Sequence, residues 1–159
     1  MTALTAGAHV VIVAGKGGVG KTTVTAVLAR AAAADGMRVL AVELDGKPTL
    51  AAALADSPVE VRYISPAAAL TEYLVEHGFG WATRRLAQSG VIEVVSAAAP
   101  GIDDLVVLGK VKQLERSGAY DLIVVDGPAA GHAVTMLTSA AGLLDAVRSG
   151  PVHTQAAEV

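Results

Sequence analysis

The chain has 159 residues, a formal net charge of −3 and no cysteine. Its apolar residues make up 53% and its aromatic residues 3%, which favours buried parallel strands under alanine-rich helices in one domain. The charge offers no broad cationic surface for nucleic acid, and the lack of thiolates excludes disulfides, cysteine-bound zinc and iron–sulfur clusters. We expect a single α/β domain over residues 1–159, in a cytoplasmic setting and without a nucleic-acid partner.

The first predicted elements are a strand and a helix. Residues 10–14 form a short β-branched run that ends at a glycine, a pattern typical of a strand buried on both faces. This run is far too short to cross a bilayer, so we predict no membrane span. The helix is predicted to begin at Lys21 or Thr22 and to end near Asp35 and Gly36. Its predicted apolar face comprises Val24, Val27, Leu28 and Ala31.

Three more strands are predicted farther along the chain. Residues 38–44 and 122–125 are apolar runs typical of buried strands, and residues 59–64 fit a shorter third strand. Because a helix-length crossover separates the first two strands, we expect parallel strands with a right-handed connection. Acidic residues lie at the carboxyl ends of two of these strands. They are Glu43 and Asp45 for residues 38–44, and Asp126 for residues 122–125.

Further helices are predicted in the middle of the chain. Ser65 and Pro66 supply a capping hydroxyl and a proline at the first helical position, and Gly78 ends that helix. A second helix is predicted from Pro100 to about Ser117. Residues 91–95 fit either a strand or a buried helix, and of these two we favour a helix.

A glycine-rich loop between the first strand and helix matches the pattern G-x-x-x-x-G-K-[ST]. Glycines let consecutive backbone N–H groups turn inward around phosphates, and the following helix adds its positive amino end. We expect Lys21 to contact the β- and γ-phosphates, and Thr22 to bind Mg²⁺, which prefers few protein oxygens plus phosphate oxygens. The alternative is a glycine turn with a solvated lysine. The predicted nucleotide-binding residues are Gly15, Lys16, Gly17, Gly18, Val19, Gly20, Lys21, Thr22 and Thr23.

Asp126 is the second predicted metal residue. It ends an apolar strand, which is where a protein with this loop places the acid that holds magnesium through water. In an open parallel sheet the ligand crevice lies beyond the carboxyl ends of the strands, so Gly15, Asp45 and Asp126 can converge there. The alternative role for Asp126 is a helix cap or turn former.

Several segments together resemble one known group of proteins. The loop of residues 15–23, with its extra Lys16, resembles the deviant Walker A loop of dimeric ATPases that include arsenite-pump, tail-anchored-protein targeting, and septum-site or plasmid-partitioning ATPases. Residues 120–126, followed by Gly131 and His132, are similar to the Walker B and switch II segment of the arsenite-pump and targeting group. Residues 64–74 and 100–105 also resemble that group. The likeness therefore runs over most of the chain, from Val10 to about Val159.

This resemblance implies a P-loop NTPase fold with a doubly wound, mainly parallel sheet and helices on both faces. It implies an ATPase with ATP and Mg²⁺ as cofactors, working as a homodimer or paired with a paralogous subunit. The implied catalytic residues are Lys16, which reaches the partner's nucleotide, Lys21, and Asp45, which orients the attacking water. Because members of the group are longer, we expect an amino-terminal portion or a truncated paralogue. Its protein client or membrane-protein partner is left open.

Two departures from the group leave hydrolysis open. Residues 45–48 read Asp-Gly-Lys-Pro where the group has Asp-Pro-Ala-His, and residues 126–132 read Asp-Gly-Pro-Ala-Ala-Gly-His where the group has Asp-Thr-Ala-Pro-Thr-Gly-His. The leading hypothesis is an ATP-driven dimeric switch, and the alternative is a nucleotide-binding subunit of a paired complex that hydrolyses weakly or not at all. A GTPase or small-molecule kinase would leave Lys16 unexplained. His132 is interpreted as a cap or surface residue and not as catalytic.

Overall fold

The computed structural model of the protein describes residues 7–76, 101–146 and 157. Contacts divide the chain into two compact units, Met1–Ile64 with Gln113–Ala133 and Ser65–Lys112 with Val134–Val159. The first unit contains the sheet and every predicted site residue. Within the part of the chain that the structure describes, no helix combines the length and apolar character that spanning a bilayer requires.

Four parallel strands form the sheet of the first unit. They are β1 (Val10–Val13), β2 (Val39–Glu43), β3 (Glu60–Tyr63) and β4 (Leu122–Asp126), in the order β1-β4-β2-β3. Val13 of β1 and Glu43 of β2 both lie opposite Asp126 of β4. The carboxyl ends of three strands therefore meet at one edge, and the predicted parallel α/β fold is confirmed.

Burial distinguishes β1 from the inner strands. All five residues of β2 are buried, as predicted, whereas all four residues of β1 are only half-buried. The prediction that β1 is buried on both faces is wrong. The reason is its position, because β1 pairs with β4 on one side and is the edge of the sheet among the described strands.

The helices largely follow the predicted boundaries. They are α1 (Lys21–Ala34), α2 (Thr49–Leu54), α3 (Pro66–Leu74), α4 (Ile102–Arg116) and α5 (Ala130–Ala146). The Ser65 hydroxyl accepts a hydrogen bond from the Ala68 N–H at 3.1 Å, so the predicted cap of α3 is confirmed. Helix α2 was not predicted. The predicted end of α3 at Gly78 and the helix favoured for residues 91–95 lie outside the described residues.

Helix α1 presents a different face to the sheet from the one predicted. Its buried residues are Thr25, Ala26, Ala29 and Ala32. Val24 and Val27, which were predicted to face the core, are 47% and 57% exposed. Small side chains let the helix approach the sheet closely, where Ala29 packs in one core with Leu50 and Leu54 of α2. Of the predicted face, Leu28 packs against this core, while alanines take the place of the two valines.

Candidate functional site

The glycine-rich loop connects β1 to α1 through two glycines in a left-handed conformation. Gly18 and Gly20 have φ angles of +79° and +90°, which only glycine adopts without a Cβ clash. The Val19 N–H donates to the Lys16 carbonyl at 3.4 Å, and the Gly20 carbonyl accepts from the Val24 N–H at 2.9 Å. The loop thus turns on itself and passes directly into the first turn of α1.

The amino end of α1 has features that favour an anion. Its N-cap residue, Gly20, makes no side-chain capping bond, and the first turn contains no acidic residue. The first N–H groups of a helix lack partners within the helix, and the helix dipole adds positive charge there. Lys21 adds a cation in the same turn. The arrangement therefore suits a phosphate group.

The structure brings the two predicted metal residues together. The Thr22 hydroxyl donates to Asp126 Oδ2 at 2.6 Å, across a separation of 104 positions in sequence. The fully buried Thr25 donates to Asp126 Oδ1 at 3.4 Å. Thr25 was not singled out from the sequence, although its position three residues after Thr22 places it on the same helical face.

The donor atoms at this point fit magnesium. A hydroxyl oxygen and a carboxylate oxygen are ligands that Mg²⁺ accepts, with its other positions taken by water and phosphate oxygens. In residues 7–76 and 101–146, no group of three or more histidine, cysteine or acidic residues could hold a metal on its own. A magnesium ion here would therefore be held jointly by Thr22, Asp126 and a nucleotide. Their role as metal residues stays a prediction.

Glu43 adds a buried carboxyl group beside this pair. It is 4% exposed and lies opposite Asp126 in the β2–β4 register. Burial raises the pKa of Glu43, and the nearby charges of Asp45 and Asp126 raise it further. Negative charge therefore accumulates where the strands end, which favours a cation at this edge.

Asp45, the predicted water-orienting residue, has a partner that the sequence did not single out. It is exposed in the turn after β2, where the Lys47 N–H donates to its Oδ1 and Lys47 Nζ donates to its Oδ2, both at 3.1 Å. Burial alone would raise the pKa of Asp45, but the hydrogen bonds and charge of Lys47, together with a hydrogen bond to the Glu43 side chain, outweigh burial and lower that pKa. The structure thus places Asp45 beyond the strand edge and pairs it with Lys47.

Two of the positions that depart from the resembled group are glycines, and the backbone accounts for both. Gly46 has a φ of +70°, and a Cβ there would lie 3.2 Å from the Tyr63 hydroxyl. A Cβ on Gly127 would lie 2.9 Å from the Val13 carbonyl oxygen, which also accepts the Gly127 N–H at 2.9 Å. Both positions therefore require glycine in this backbone.

The remaining predicted residues lie around the loop. Lys16, Gly17, Gly18, Val19 and Thr23 are exposed, whereas Gly15, Gly20, Lys21 and Thr22 are half-buried. His132 is exposed in the first turn of α5, as expected for a surface residue. The binding and catalytic roles of these residues stay predictions.

Comparisons with known proteins identify the family. The model of the ArsA-type anion-transporting ATPase family matches residues 8–148. ATPase BagA of Mycobacterium tuberculosis is 32% identical over 172 aligned positions, which cover 94% of this chain and 51% of that protein. Protein SCO2128 of Streptomyces coelicolor is 32% identical over 152 positions, covering 86% of this chain and 38% of that protein. The chain thus spans about half the length, or less, of these relatives. It belongs to the ArsA family of anion-transporting ATPases, which are nucleotide-binding proteins.

Proposed function

We propose that this chain forms the nucleotide-binding part of an ATP-driven switch that hydrolyses ATP with Mg²⁺. The observation that supports this function best is the 2.6 Å hydrogen bond from Thr22 to Asp126. It joins the residue that follows the loop lysine to the acid that ends β4. These are the two side chains that a P-loop ATPase uses to hold the metal ion against the phosphates.

Each of the other site residues has a role in this proposal. The backbone N–H groups of residues 15–23 and the Lys21 ammonium group bind the phosphates. Asp45 orients the attacking water, because phosphoryl transfer needs a positioned water more than a strong base. Bound Mg²⁺ would neutralise charge on the phosphate oxygens.

A second copy of the chain or a paralogous subunit completes the proposed switch. Lys16 is exposed in the loop, as a residue that reaches a partner's nucleotide must be. Val19, Val24 and Val27 are 62%, 47% and 57% exposed, and such apolar side chains support an interface. Sedimentation of the protein with and without ATP and Mg²⁺ tests this, and association that depends on nucleotide is the expected result.

A nucleotide-binding subunit with little hydrolysis is the alternative function. Lys47 occupies both oxygens of Asp45, which favours slow turnover. Tight ATP binding without phosphate release, even in the presence of the partner subunit, would support this alternative over an ATPase. Parallel titrations with ATP and GTP distinguish either function from that of a GTPase.

Phosphate release from ATP by the full chain tests the leading proposal. We expect Lys21→Ala to abolish turnover because the cation at the β- and γ-phosphates is lost. We expect Asp45→Asn to reduce turnover much more than ATP affinity, and EDTA to stop turnover. Asp35→Asn is the matched control, since Asp35 is an exposed aspartate at the other end of α1. Turnover that survives both site substitutions would rule out the proposed mechanism.

A further inference from the structure

Asp45 receives two hydrogen bonds from one residue, and the two bonds differ in kind. The backbone N–H of Lys47 donates to one carboxylate oxygen, and the side-chain ammonium group donates to the other. The first bond is set by the turn itself. The second depends on a flexible four-carbon side chain that can be replaced without changing the backbone.

The turn that holds this pair is closely constrained. Gly46, between the two residues, has a left-handed φ of +70° and lies so close to Tyr63 that a Cβ would be 3.2 Å from the hydroxyl. In this turn the Lys47 N–H lies 3.1 Å from Asp45 Oδ1. The two bonds of the pair join residues two positions apart, while Tyr63 of β3 packs beside the glycine between them.

The pair lies at the edge of the sheet where the proposed chemistry takes place. Strand β2 is next to β4, and β4 is next to β1, which leads into the glycine-rich loop. Two strand spacings amount to about 10 Å. The side chains of Lys47 and Asp45 are 70% and 56% exposed. Water molecules can therefore reach both side chains.

We propose that Lys47 is a positioning residue that restrains hydrolysis by engaging the carboxylate of Asp45. This inference rests on the proposed function, in which Asp45 orients the attacking water. With both carboxylate oxygens engaged by Lys47, only about two of the roughly four acceptor positions of Asp45 remain for a water molecule. The ammonium group also lowers the pKa of Asp45, which makes the carboxylate a weaker acceptor.

The size of this restraint is limited by the exposure of the pair. Exposed ion pairs change an equilibrium by up to about fivefold, and salt weakens them. Lys47 therefore slows turnover without stopping it. The restraint depends on Asp45 alone, so it must disappear when Asp45 is no longer a carboxylate.

Steady-state ATP hydrolysis by the full chain tests the inference. We expect Lys47→Met to raise kcat about two- to fivefold with KM for ATP unchanged, whereas Lys47→Arg keeps the cation and retains the slow rate. In an Asp45→Asn background, Lys47→Met should change nothing. Rising salt should increase kcat of the wild type at saturating ATP and have less effect on Lys47→Met.

Arg30→Met is the matched control. Arg30 pairs with Asp56, another exposed ion pair, but lies near the carboxyl end of α1, away from the loop. We expect its turnover to equal that of the wild type. A cooperative melting transition would show that each variant is folded.

The outcomes separate this inference from the proposed function. If the wild type hydrolyses ATP and Asp45→Asn slows it, but Lys47→Met is unchanged or slower, the restraint by Lys47 is wrong and the ATPase proposal stands. If Lys47→Met is faster to the same degree with and without Asp45, the effect does not act through Asp45 and the inference is again wrong. If neither the wild type nor Lys47→Met releases phosphate, both proposals fail.

Discussion

The amino and carboxyl ends of β2 and β4 differ in how their charged side chains are arranged. At the amino ends of β2 and β4, Asp121 accepts the Arg38 backbone N–H at 2.8 Å and the guanidinium group at 2.6 and 3.1 Å. At the carboxyl ends of the same strands, Glu43 lies opposite Asp126, and Asp126 accepts bonds from threonine hydroxyls. The amino end pairs an acid with a base, whereas the carboxyl end places the carboxyl groups of Glu43 and Asp126 opposite each other, and Asp45 just beyond them is paired with Lys47.

A second group at the amino end follows the same rule. Tyr120 donates to Glu60 at 2.6 Å, and Arg62 donates to the other oxygen of Glu60 at the same distance. The bond from Tyr120 connects the start of β3 to the segment before β4. The comparison teaches that the amino end contributes to stability, while the carboxyl end retains electrostatic repulsion that a bound cation would relieve.

Asp126→Asn is expected to have the largest effect. If Asp126 helps to hold Mg²⁺, phosphate release should fall about a hundredfold or more, because a bound metal ion stabilises the transition state by several kcal/mol. Thermal stability should not fall, since the amide oxygen can still accept from Thr22 and a negative charge is removed beside Glu43. Turnover and melting temperature of the same preparation measure both effects. Full activity together with reduced stability would contradict this prediction, because Asp126 would then contribute to stability and not to metal binding.

Glu43→Gln tests the repulsion at the carboxyl end of the sheet through the pH dependence of the melting temperature. Because burial raises the folded-state pKa of Glu43 above its ordinary value of 4.5, ionisation in the folded protein costs stability as pH rises past that value. Glutamine does not ionise. The variant should therefore gain in melting temperature over the wild type towards neutral pH, and the gain should vanish below the ordinary pKa. A gain that is the same at every pH would contradict this explanation.

Asp121→Asn should have the smallest effect of the three. It should lower the melting temperature, whereas Glu43→Gln should raise it. Hydrogen bonds from Arg38 lower the pKa of Asp121 from 3.8 to about 2. The pair therefore stabilises the fold above pH 3.8, and this contribution is lost as pH falls through about 2. The wild type should melt slightly above the variant at neutral pH, because the side chains are 59% and 41% exposed, and high salt should reduce the gap. Turnover should be unchanged.

The features predicted correctly from the sequence depend on strong local signals. The loop pattern and the apolar runs that end in acids placed Thr22 and Asp126 at one edge before any contact was known. Parallel order followed from the length of the crossover. These signals work because backbone geometry alone decides where the ends of parallel strands lie.

The features that were missed depend on packing and on turn geometry. Helix α1 is apolar around much of its surface, so sequence spacing did not reveal that its alanines, and not Val24 and Val27, face the sheet. Helix α2 has six residues and no side-chain cap, which is too short for a periodic pattern. The Asp45–Lys47 pair depends on the left-handed φ of Gly46, and the pattern of residue types did not predict that conformation.

The close approach of Gly127 to β1 bears on how segments of this family can be exchanged. A methyl group at position 127 would lie 2.9 Å from the Val13 carbonyl oxygen, so the switch and the first strand are sterically matched to each other. A chimera that takes the switch of a relative with threonine at this position would require a shifted β1 as well. Residues 10–13 and the segment after β4 should therefore be grafted as one unit.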